Sequence, residues 1–215
     1  MEIVFNHVSK KLGKNIVIDD MSFKIDSHKI TGLKGINGSG KTMIMRLMSG
    51  LIYPSSGTVS IDDKILGKDI AFPESIGLLL ENPSFINKYS GYDNLRLLSD
   101  IRSTINEERI QEVMRIVGLE KSGNKKYKKF SLGMKQRLGI AAAIMEQPQI
   151  VLLDEPTNAL DSDGVEMVKR IINGEKERGA TVVVSCHDSE MLESLSDEII
   201  EIQGGRIVRK YMPNS

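Results

Sequence analysis

The sequence contains no tryptophan, only one cysteine and no long run of apolar residues. Because Cys186 has no second cysteine to pair with, no disulfide can form within the chain, and a reducing compartment is expected. No stretch approaches the roughly 20 apolar residues that a membrane-spanning helix needs, and the N-terminus lacks the apolar core of a secretory signal. These absences predict a soluble protein that reaches a membrane only through a partner.

The sequence also lacks an excess of either charge, since Lys plus Arg and Asp plus Glu both total 29. Affinity for nucleic acid comes mainly from cationic neutralisation of phosphates, so no nucleic acid partner is expected. Hydrophobic residues make up 40% and charged residues 27%, which are ordinary values for a chain with a proper core. A length of 215 residues suits one domain, or one domain with an inserted lobe.

Short apolar strands alternate with amphipathic helices along most of the chain, which predicts an α/β fold. The predicted strands cover residues 2–8, 16–25, 29–33, 58–61, 76–80, 150–153, 181–185, 198–202 and 206–210. The predicted helices cover residues 41–49 and 165–172, and two more begin at the capping residues Asn106 and Ser131. Strand patterns vanish from about residue 86 to 146, so this segment is predicted to be a helical lobe inserted into the α/β core.

A glycine-rich loop lies between a predicted strand and a predicted helix, and it matches G-x-x-x-x-G-K-[ST]. Its residues are Gly35, Ile36, Asn37, Gly38, Ser39, Gly40, Lys41 and Thr42. Glycines allow successive backbone N–H groups to turn inward around phosphate oxygens at a helix N-terminus. Lys41 would place a positive charge on the β- and γ-phosphates, and the Thr42 hydroxyl would ligate Mg²⁺. A chance glycine turn is the alternative, but the strand–loop–helix context favours nucleotide binding.

The predicted strand at residues 150–153 runs directly into two acids, Asp154 and Glu155. A buried strand end that points two carboxylates at a phosphate loop needs a cation, so Asp154 is expected to hold Mg²⁺. Glu155 is expected to polarise a water for attack on the γ-phosphate. Taken alone, the pair would more simply be an acidic loop after a strand. The phosphate loop upstream makes the catalytic interpretation the better one.

With these motifs, the sequence resembles the ABC ATPases over almost its whole length. Residues 130–137 (FSLGMKQR) resemble the signature motif of that family, and residues 156–161 (PTNALD) resemble the segment leading into its D-loop. His187 follows an apolar strand, as the switch histidine of the family does. The resemblance implies a P-loop NTPase core with an N-terminal antiparallel β subdomain and the inserted α-helical subdomain, as a single domain over residues 1–215. It also implies the ATP-hydrolysing subunit of a transporter, peripheral on the cytoplasmic face of the membrane, that powers a separate permease.

The resemblance further implies a dimer of two identical or different cassettes. Each ATP, with its Mg²⁺, would lie between the phosphate loop of one subunit and the signature helix of the other. There Ser131 and the backbone N–H of Gly133 would contact the γ-phosphate, although Ser131 also suits a plain helix N-cap. His187 would hydrogen-bond the γ-phosphate and the attacking water. Its alternative role is that of a core histidine at a strand end.

Some positions depart from the common form of the family. Leu12 stands where an aromatic residue usually stacks on adenine, so that base contact is expected to be weaker. Glu81 replaces a glutamine; its carboxylate could reach Mg²⁺ but adds negative charge near the γ-phosphate. After it, Phe85 and Tyr92 lie where the family receives its permease, with core packing as an equal alternative.

The signature also carries Leu132 and Met134 where glycine and glutamine are usual. With residues 90–95 and 131–143, these departures make the chain look like a subgroup of bacterial exporters of peptide antibiotics, lantibiotics or bacteriocins. The inference about the substrate is by analogy only.

Two other classes of function stay open at this stage. A non-transport ABC ATPase, acting on chromosomes or ribosomes, would typically carry a long coiled-coil insertion or a second cassette, and neither is expected in 215 residues. A catalytically weak switch that senses ATP would agree with Leu12 and Glu81. The intact Lys41, Glu155 and His187 oppose it.

Overall fold

A computed structural model describes residues 1–213, which form two β-sheets flanked by helices. The ten strands are β1 (Ile3–Leu12), β2 (Asn15–Ile25), β3 (Ile30–Lys34), β4 (Ser56–Ile61), β5 (Lys64–Ile65), β6 (Ile76–Leu79), β7 (Ile150–Asp154), β8 (Thr181–Ser185), β9 (Glu198–Gln203) and β10 (Arg206–Tyr211). The α-helices are α1 (Lys41–Met48), α2 (Gly91–Arg102), α3 (Glu107–Ile116), α4 (Leu132–Ile144), α5 (Ser162–Glu177) and α6 (Ser189–Leu195). Residues 214 and 215, included in the predicted domain, lie outside the described residues.

The first sheet is antiparallel and has the strand order β2-β1-β4-β5. The predicted strand at 2–8 is longer in the structure, because β1 continues to Leu12 and pairs there with Asn15 of β2. Shifts of register interrupt both ladders of β1 beyond Phe5, which bends the hairpin as β-bulges do. This sheet is the predicted N-terminal antiparallel subdomain.

The second sheet has the order β10-β9-β3-β8-β7-β6, and the five strands from β9 to β6 are parallel. Its central strands are buried on both faces, which explains their continuous apolar sequences. Alternate residues belong to different cores: Val151 and Leu153 pack with the helical lobe, whereas Leu152 packs with the antiparallel sheet and α1. The carboxyl ends of β3, β8 and β7 therefore meet at one edge, where ligands bind in open α/β sheets.

The segment between β6 and β7 contains α2, α3, a 3₁₀ turn (Tyr127–Lys129) and α4, as the predicted helical lobe requires. Asn106 and Ser131 cap α3 and α4 through their side chains. The sequence analysis missed α2, although its start carries a capping box: Ser90 Oγ accepts from Asp93 N–H at 3.0 Å, and Asp93 accepts in return. Within residues 1–213, no helix is both long and apolar enough to cross a bilayer.

Candidate nucleotide-binding and hydrolysis site

A cleft of about 500 Å³ opens at the carboxyl edge of the parallel sheet. The phosphate loop and the first turn of α1 form one wall, contributing Asn37, Gly38, Gly40, Lys41 and Thr42. The opposite wall contains Asp154 and Glu155 at the end of β7 and the histidine that follows β8. The strand order brings these three segments together, although more than 110 residues of sequence separate the first from the second.

The phosphate loop is held in a backbone conformation that needs glycine. Gly38 and Gly40 have φ angles of 78° and 115°, in the region that side chains disfavour. Gly40 is the N-cap of α1 and no side chain caps this helix, so its first-turn N–H groups remain available to an anion. The loop is therefore shaped as a phosphate cradle. Within this loop, Ile36 is 74% exposed and points away from the core.

Lys41 is buried within the cradle, with only 6% of its residue surface exposed. Its Nζ donates to the carbonyl oxygen of Gly35 at 2.7 Å and to that of Ile36 at 3.3 Å. It also lies 4.0 Å from Glu155 Oε1 across the cleft. The Lys41 ammonium is thus held by neutral carbonyl oxygens beside free backbone amides. Phosphate oxygens could replace these carbonyls as its hydrogen-bond acceptors.

Thr42 and Asp154 meet at the floor of the cleft. The Thr42 hydroxyl donates to Asp154 Oδ2, and Ser185 Oγ donates to Asp154 Oδ1 at 2.5 Å. A hydroxyl and a buried carboxylate side by side form a hard-oxygen pair of the kind that Mg²⁺ prefers when phosphates complete its shell. The donor set thus fits the predicted metal, and Ser185 is a supporting residue that the sequence analysis did not identify.

Glu155 is held rigidly just beyond the end of β7. Its φ is 50°, an uncommon backbone conformation for a glutamate, and its N–H donates to the Ser185 carbonyl at 3.2 Å and to the Ser185 hydroxyl at 3.0 Å. Its carboxylate accepts the His187 N–H at 3.0 Å through Oε2. Oε1 is buried without a hydrogen bond, with His187 Nε2 3.4 Å away but outside hydrogen-bond geometry. This oxygen therefore has an unused acceptor position beside Lys41 and His187.

The environment of Glu155 shifts its acidity. Burial raises the pKa of the carboxyl group above its ordinary value, while His187 and Lys41 act in the opposite direction. A raised pKa makes the ionised form a stronger base, at the cost of needing a higher pH to ionise it. The group is thus suited to draw a proton from water.

Gln136 and Asn158 also line the cleft, and the sequence analysis assigned no role to either. Gln136 Nε2 donates to the Glu155 carbonyl oxygen at 3.1 Å, and the Asn158 N–H donates to the same oxygen at 3.2 Å. The helical lobe thereby grips the backbone of the acidic residue. Only the position of Gln136 in the signature-like run could have indicated this contact.

The start of the signature helix α4 lies outside this cleft. Ser131 Oγ caps α4 by accepting the Met134 N–H at 3.2 Å, as its alternative role required. Gly133 faces the segment after Glu155, since a Cβ atom there would lie 2.8 Å from the Ala159 carbonyl oxygen. Leu132 beside it is 72% exposed. The predicted contact of Ser131 and Gly133 with a γ-phosphate bound by another subunit stays a prediction.

Leu12 lies at the tip of the β1–β2 hairpin, 48% exposed, and the neighbouring residue that lines the cleft is Val17. The structure thus brings β2, and not the tip of the hairpin, to the cleft. Loss of aromatic stacking at Leu12 stays a prediction, while Val17 and Met43 are apolar residues in the lining of the cleft.

Glu81 lines the cleft, but its carboxylate pairs with an arginine, and its contact with Mg²⁺ stays a prediction. Oε1 accepts from Arg46 at 2.7 Å, and Arg46 lies one helical turn beyond Thr42 on α1. The extra negative charge expected at this position is therefore offset locally. Nothing in the sequence pattern indicated Arg46, because 35 residues separate it from its partner.

A nucleoside triphosphate is the substrate that this cleft can bind and cleave, which places the chain among the P-loop ATPases. Comparison with known proteins narrows the class. Residues 18–158 match the family model described as ABC transporter. The chain is 46% identical over 201 residues to the uncharacterized ABC transporter ATP-binding protein YybJ of Bacillus subtilis, covering 94% of this chain and 92% of that protein.

Two further comparisons agree. The bacitracin transport ATP-binding protein BcrA of Enterococcus faecalis is 34% identical, with 95% of this chain and 67% of that protein covered. The dimeric post-hydrolysis structure of the ATP-binding cassette MJ0796 with ADP and Pi superposes with a TM-score of 0.89 at 25% identity, covering 99% of both chains. The chain belongs to the ABC transporter family and is an ATP-binding, ATP-hydrolysing subunit of a transporter.

Proposed function

We propose that this chain hydrolyses magnesium-ATP at a joint between two cassettes, and that it thereby drives a membrane permease that exports a peptide antibiotic or drug. The observation that carries the proposal is the state of Glu155. Its backbone is fixed on both sides, and one buried carboxylate oxygen, Oε1, has no hydrogen bond although Lys41 and His187 lie beside it in the cleft.

Binding of ATP is assigned to residues 35–42. The free amides at the start of α1 and the Lys41 ammonium bind the β- and γ-phosphates, with Lys41 giving up its bonds to the Gly35 and Ile36 carbonyls. Charged hydrogen bonds to phosphate are stronger than those to neutral carbonyls, so this exchange favours the bound state.

Thr42 and Asp154 are the residues assigned to Mg²⁺. No cluster of three or more His, Cys, Asp or Glu that could hold a metal occurs within the part of the chain that the structure describes. A site of one carboxylate and one hydroxyl agrees with an ion that takes its other oxygens from the nucleotide and water. When bound, the ion neutralises charge on the phosphate oxygens.

Hydrolysis is assigned to Glu155 and His187. Glu155 Oε1 accepts a hydrogen bond from the attacking water and takes its proton. The water oxygen bonds to the γ-phosphorus while the bond from that phosphorus to the bridging oxygen breaks, and ADP leaves with that oxygen. His187 holds the second carboxylate oxygen through its backbone N–H, and its half-exposed imidazole lies 3.4 Å from Oε1. We assign this imidazole to a hydrogen bond with the γ-phosphate. Gln136 and Asn158 keep the Glu155 backbone in place.

The second cassette supplies the missing wall of the cleft. The dimeric structure of MJ0796 supports a pair of cassettes. We arrange the pair head to tail, so that Ser131 and Gly133 of one subunit reach the γ-phosphate held by the other. The exposed position of Leu132 leaves this helix start open to such a partner. Either a second copy of this chain or a different cassette could fill the role.

The permease is proposed to dock beside Glu81, with the chain on the cytoplasmic face of the membrane. Ile86, Tyr89, Leu97 and Ile101 follow Glu81 on the loop and on α2, and each is at least 41% exposed. Phe85 and Tyr92 instead pack partly against the core, which favours the structural alternative for these two. These exposed apolar side chains, which begin in the loop after Glu81 and continue along α2, are the surface through which the state of the cleft could reach a membrane partner.

The substrate class is supported by the bacitracin transport protein BcrA and by the departures at Leu12 and Glu81. A cell that lacks resistance can test it by producing this chain with its own permease. The proposal predicts increased survival on bacitracin or on a lantibiotic, lost when Glu155→Gln replaces the wild type. Equal survival of cells with wild-type and variant protein on both kinds of peptide would contradict the substrate assignment.

A further inference from the structure

Lys34 is the last residue of β3 and immediately precedes the phosphate loop, yet its side chain turns away from the nucleotide cleft. Its Nζ donates to Glu193 Oε1 at 2.8 Å, with 26% of the lysine side chain exposed. Lys34 lines a second cavity of about 390 Å³, on the other side of the loop, which also contacts His187. The positive charge of Lys34 is thus paired with Glu193 within the protein. This ion pair lies next to the phosphate loop and the segment that carries His187.

Tyr211 joins the same carboxylate from the C-terminal hairpin. Its hydroxyl donates to Glu193 Oε1 at 3.1 Å, and the Arg209 guanidinium covers its ring at 4.3 Å from the centroid. The hydrogen bond from Lys34, and then that from Tyr211, lowers the pKa of Glu193, while the carboxylate raises the pKa of Lys34. The Lys34–Glu193 ion pair therefore persists at neutral pH, and one carboxylate oxygen connects β3, α6 and β10.

The helix that carries Glu193 starts directly after the switch histidine. Asp188, next to His187, caps α6 by accepting the Met191 N–H at 3.0 Å. The helix lies closely on β3, since a Cβ atom at Gly32 would come within 2.9 Å of Leu192 Cγ. Because α6 has only seven residues, fixing it at Gly32 and at Glu193 also fixes its first turn.

The position of His187 in turn sets two contacts of the catalytic acid. Its N–H donates to Glu155 Oε2 at 3.0 Å, and its Nε2 lies 3.4 Å from Oε1. We infer that Lys34, Glu193 and Tyr211 form a network that positions His187 for hydrolysis, an inference that rests on the proposed role of His187. They are positioning residues, since they act on the reaction through the histidine.

The test disrupts the network of Lys34, Glu193 and Tyr211 and leaves the residues of the nucleotide cleft unchanged. Lys34→Met and Glu193→Gln are each expected to lower kcat roughly twofold to fivefold while the Kd for ATP changes less than about twofold. Tyr211→Phe, which removes only the second donor, is expected to lower kcat about twofold. Lys34→Arg keeps the cation and is expected to restore most of the turnover.

A matched control is available on α5. Lys169 and Glu166 form a pair of the same residue types at 2.7 Å, with side-chain exposures of 30% and 63%. Lys169→Met and Glu166→Gln should leave kcat unchanged. Thermal melting of every variant sets the assay temperature well inside the folded range, so that a fall in kcat is not a fall in folded protein.

A second measurement follows the histidine itself. The chain has three histidines, so the ring signals of His187 can be assigned by NMR with a His187→Ala variant. Lys34→Met should shift or broaden the His187 signals and leave those of His7 and His28 in place. The α5 control should move none of them.

Unchanged kcat and unchanged His187 signals in both Lys34→Met and Glu193→Gln would overturn the inference. A loss of ATP affinity as large as the loss of kcat would also overturn it, because Lys34 would then act on the phosphates. If Glu155→Gln and His187→Ala leave turnover intact, the proposed function fails instead. If those two variants abolish turnover and the network variants do not, only the network inference fails.

Discussion

The two ends of the site differ in how complete they are within one chain. At the carboxyl edge of the parallel sheet, Lys41, Asp154 and Glu155 converge on one cleft, and most of their polar atoms are already bonded. At the start of α4, Ser131 is bonded only as a cap and Leu132 is exposed to solvent. The nucleotide cleft is preorganised by the fold of one chain. The start of α4 would be completed only by contact with a second subunit. Binding should therefore belong to the single chain and turnover to the pair.

The largest loss of turnover is expected in the nucleotide cleft, at Glu155. Glu155→Gln keeps the shape of the side chain and removes the base, so kcat should fall roughly 10²- to 10⁴-fold. The Kd for ATP should change little, because the binding groups remain. Single-turnover hydrolysis measured beside an ATP titration checks both. A variant that hydrolyses ATP like the wild type would show that Glu155 is not the base.

Lys41→Ala should affect binding itself. Losing a charged donor to phosphate, worth about 1.5–3 kcal/mol, predicts a Kd for ATP roughly 10- to 150-fold higher. Isothermal titration calorimetry on the isolated chain measures it. The α5 variant Lys169→Ala is the control, and an unchanged affinity for Lys41→Ala would contradict the assigned cradle.

Mixing two inactive variants tests whether the phosphate loop of one subunit and the start of α4 of the other form one site. Lys41→Ala spoils the cradle and Ser131→Arg blocks the helix start, so each alone should be nearly inactive. In a head-to-tail pair, one site of a mixed dimer receives both lesions and the other receives none. Mixing should therefore restore ATPase activity, measured as phosphate release against the mixing ratio. Activity that stays at the level of the separate variants would contradict a head-to-tail pair with shared sites.

Turnover should also depend on pH in a direction set by burial. The pKa of Glu155 is raised, and the base must be ionised, so activity is fully present above that raised pKa and is lost as the pH falls through it. The acid limb of the pH–rate profile should thus lie above the ordinary range for a glutamate. A limb at the ordinary value would indicate a solvated carboxylate.

The smallest effect is expected at Arg46. Arg46→Gln leaves the Glu81 carboxylate uncompensated beside the cleft, and an exposed pair of this kind is worth about 0.2–1 kcal/mol. The Kd for magnesium-ATP should rise about twofold to fivefold, and adding Glu81→Gln should reverse the rise. A double variant no better than Arg46→Gln would show that the arginine acts on the nucleotide directly.

The nucleotide cleft was also the part of the site that the sequence predicted. The cradle is a contiguous run whose backbone needs glycine at fixed places, and Asp154 and Glu155 end a strand whose apolar run is legible in sequence. The fold then brings these segments together, because parallel strands present their carboxyl ends at one edge.

Other features depend on contacts between distant residues and left little trace in the sequence. The pairing of Arg46 with Glu81, the grip of Gln136 on the Glu155 backbone and the positive φ of Glu155 all arise only in the folded chain. Helix α6 was missed because seven residues give too short a periodic pattern. Helix α2 was missed despite its capping box, which was legible at Ser90 and Asp93.

The central claim is that ATP joins two cassettes until Glu155 allows it to be cleaved. Sedimentation of Glu155→Gln with magnesium-ATP, beside the same protein with ADP and the double variant Lys41→Ala/Glu155→Gln with ATP, tests it most directly. The account predicts a dimer in the first sample and monomers in the other two, for a chain that pairs with itself or after addition of its partner cassette. The same sedimentation coefficient in all three samples would contradict it.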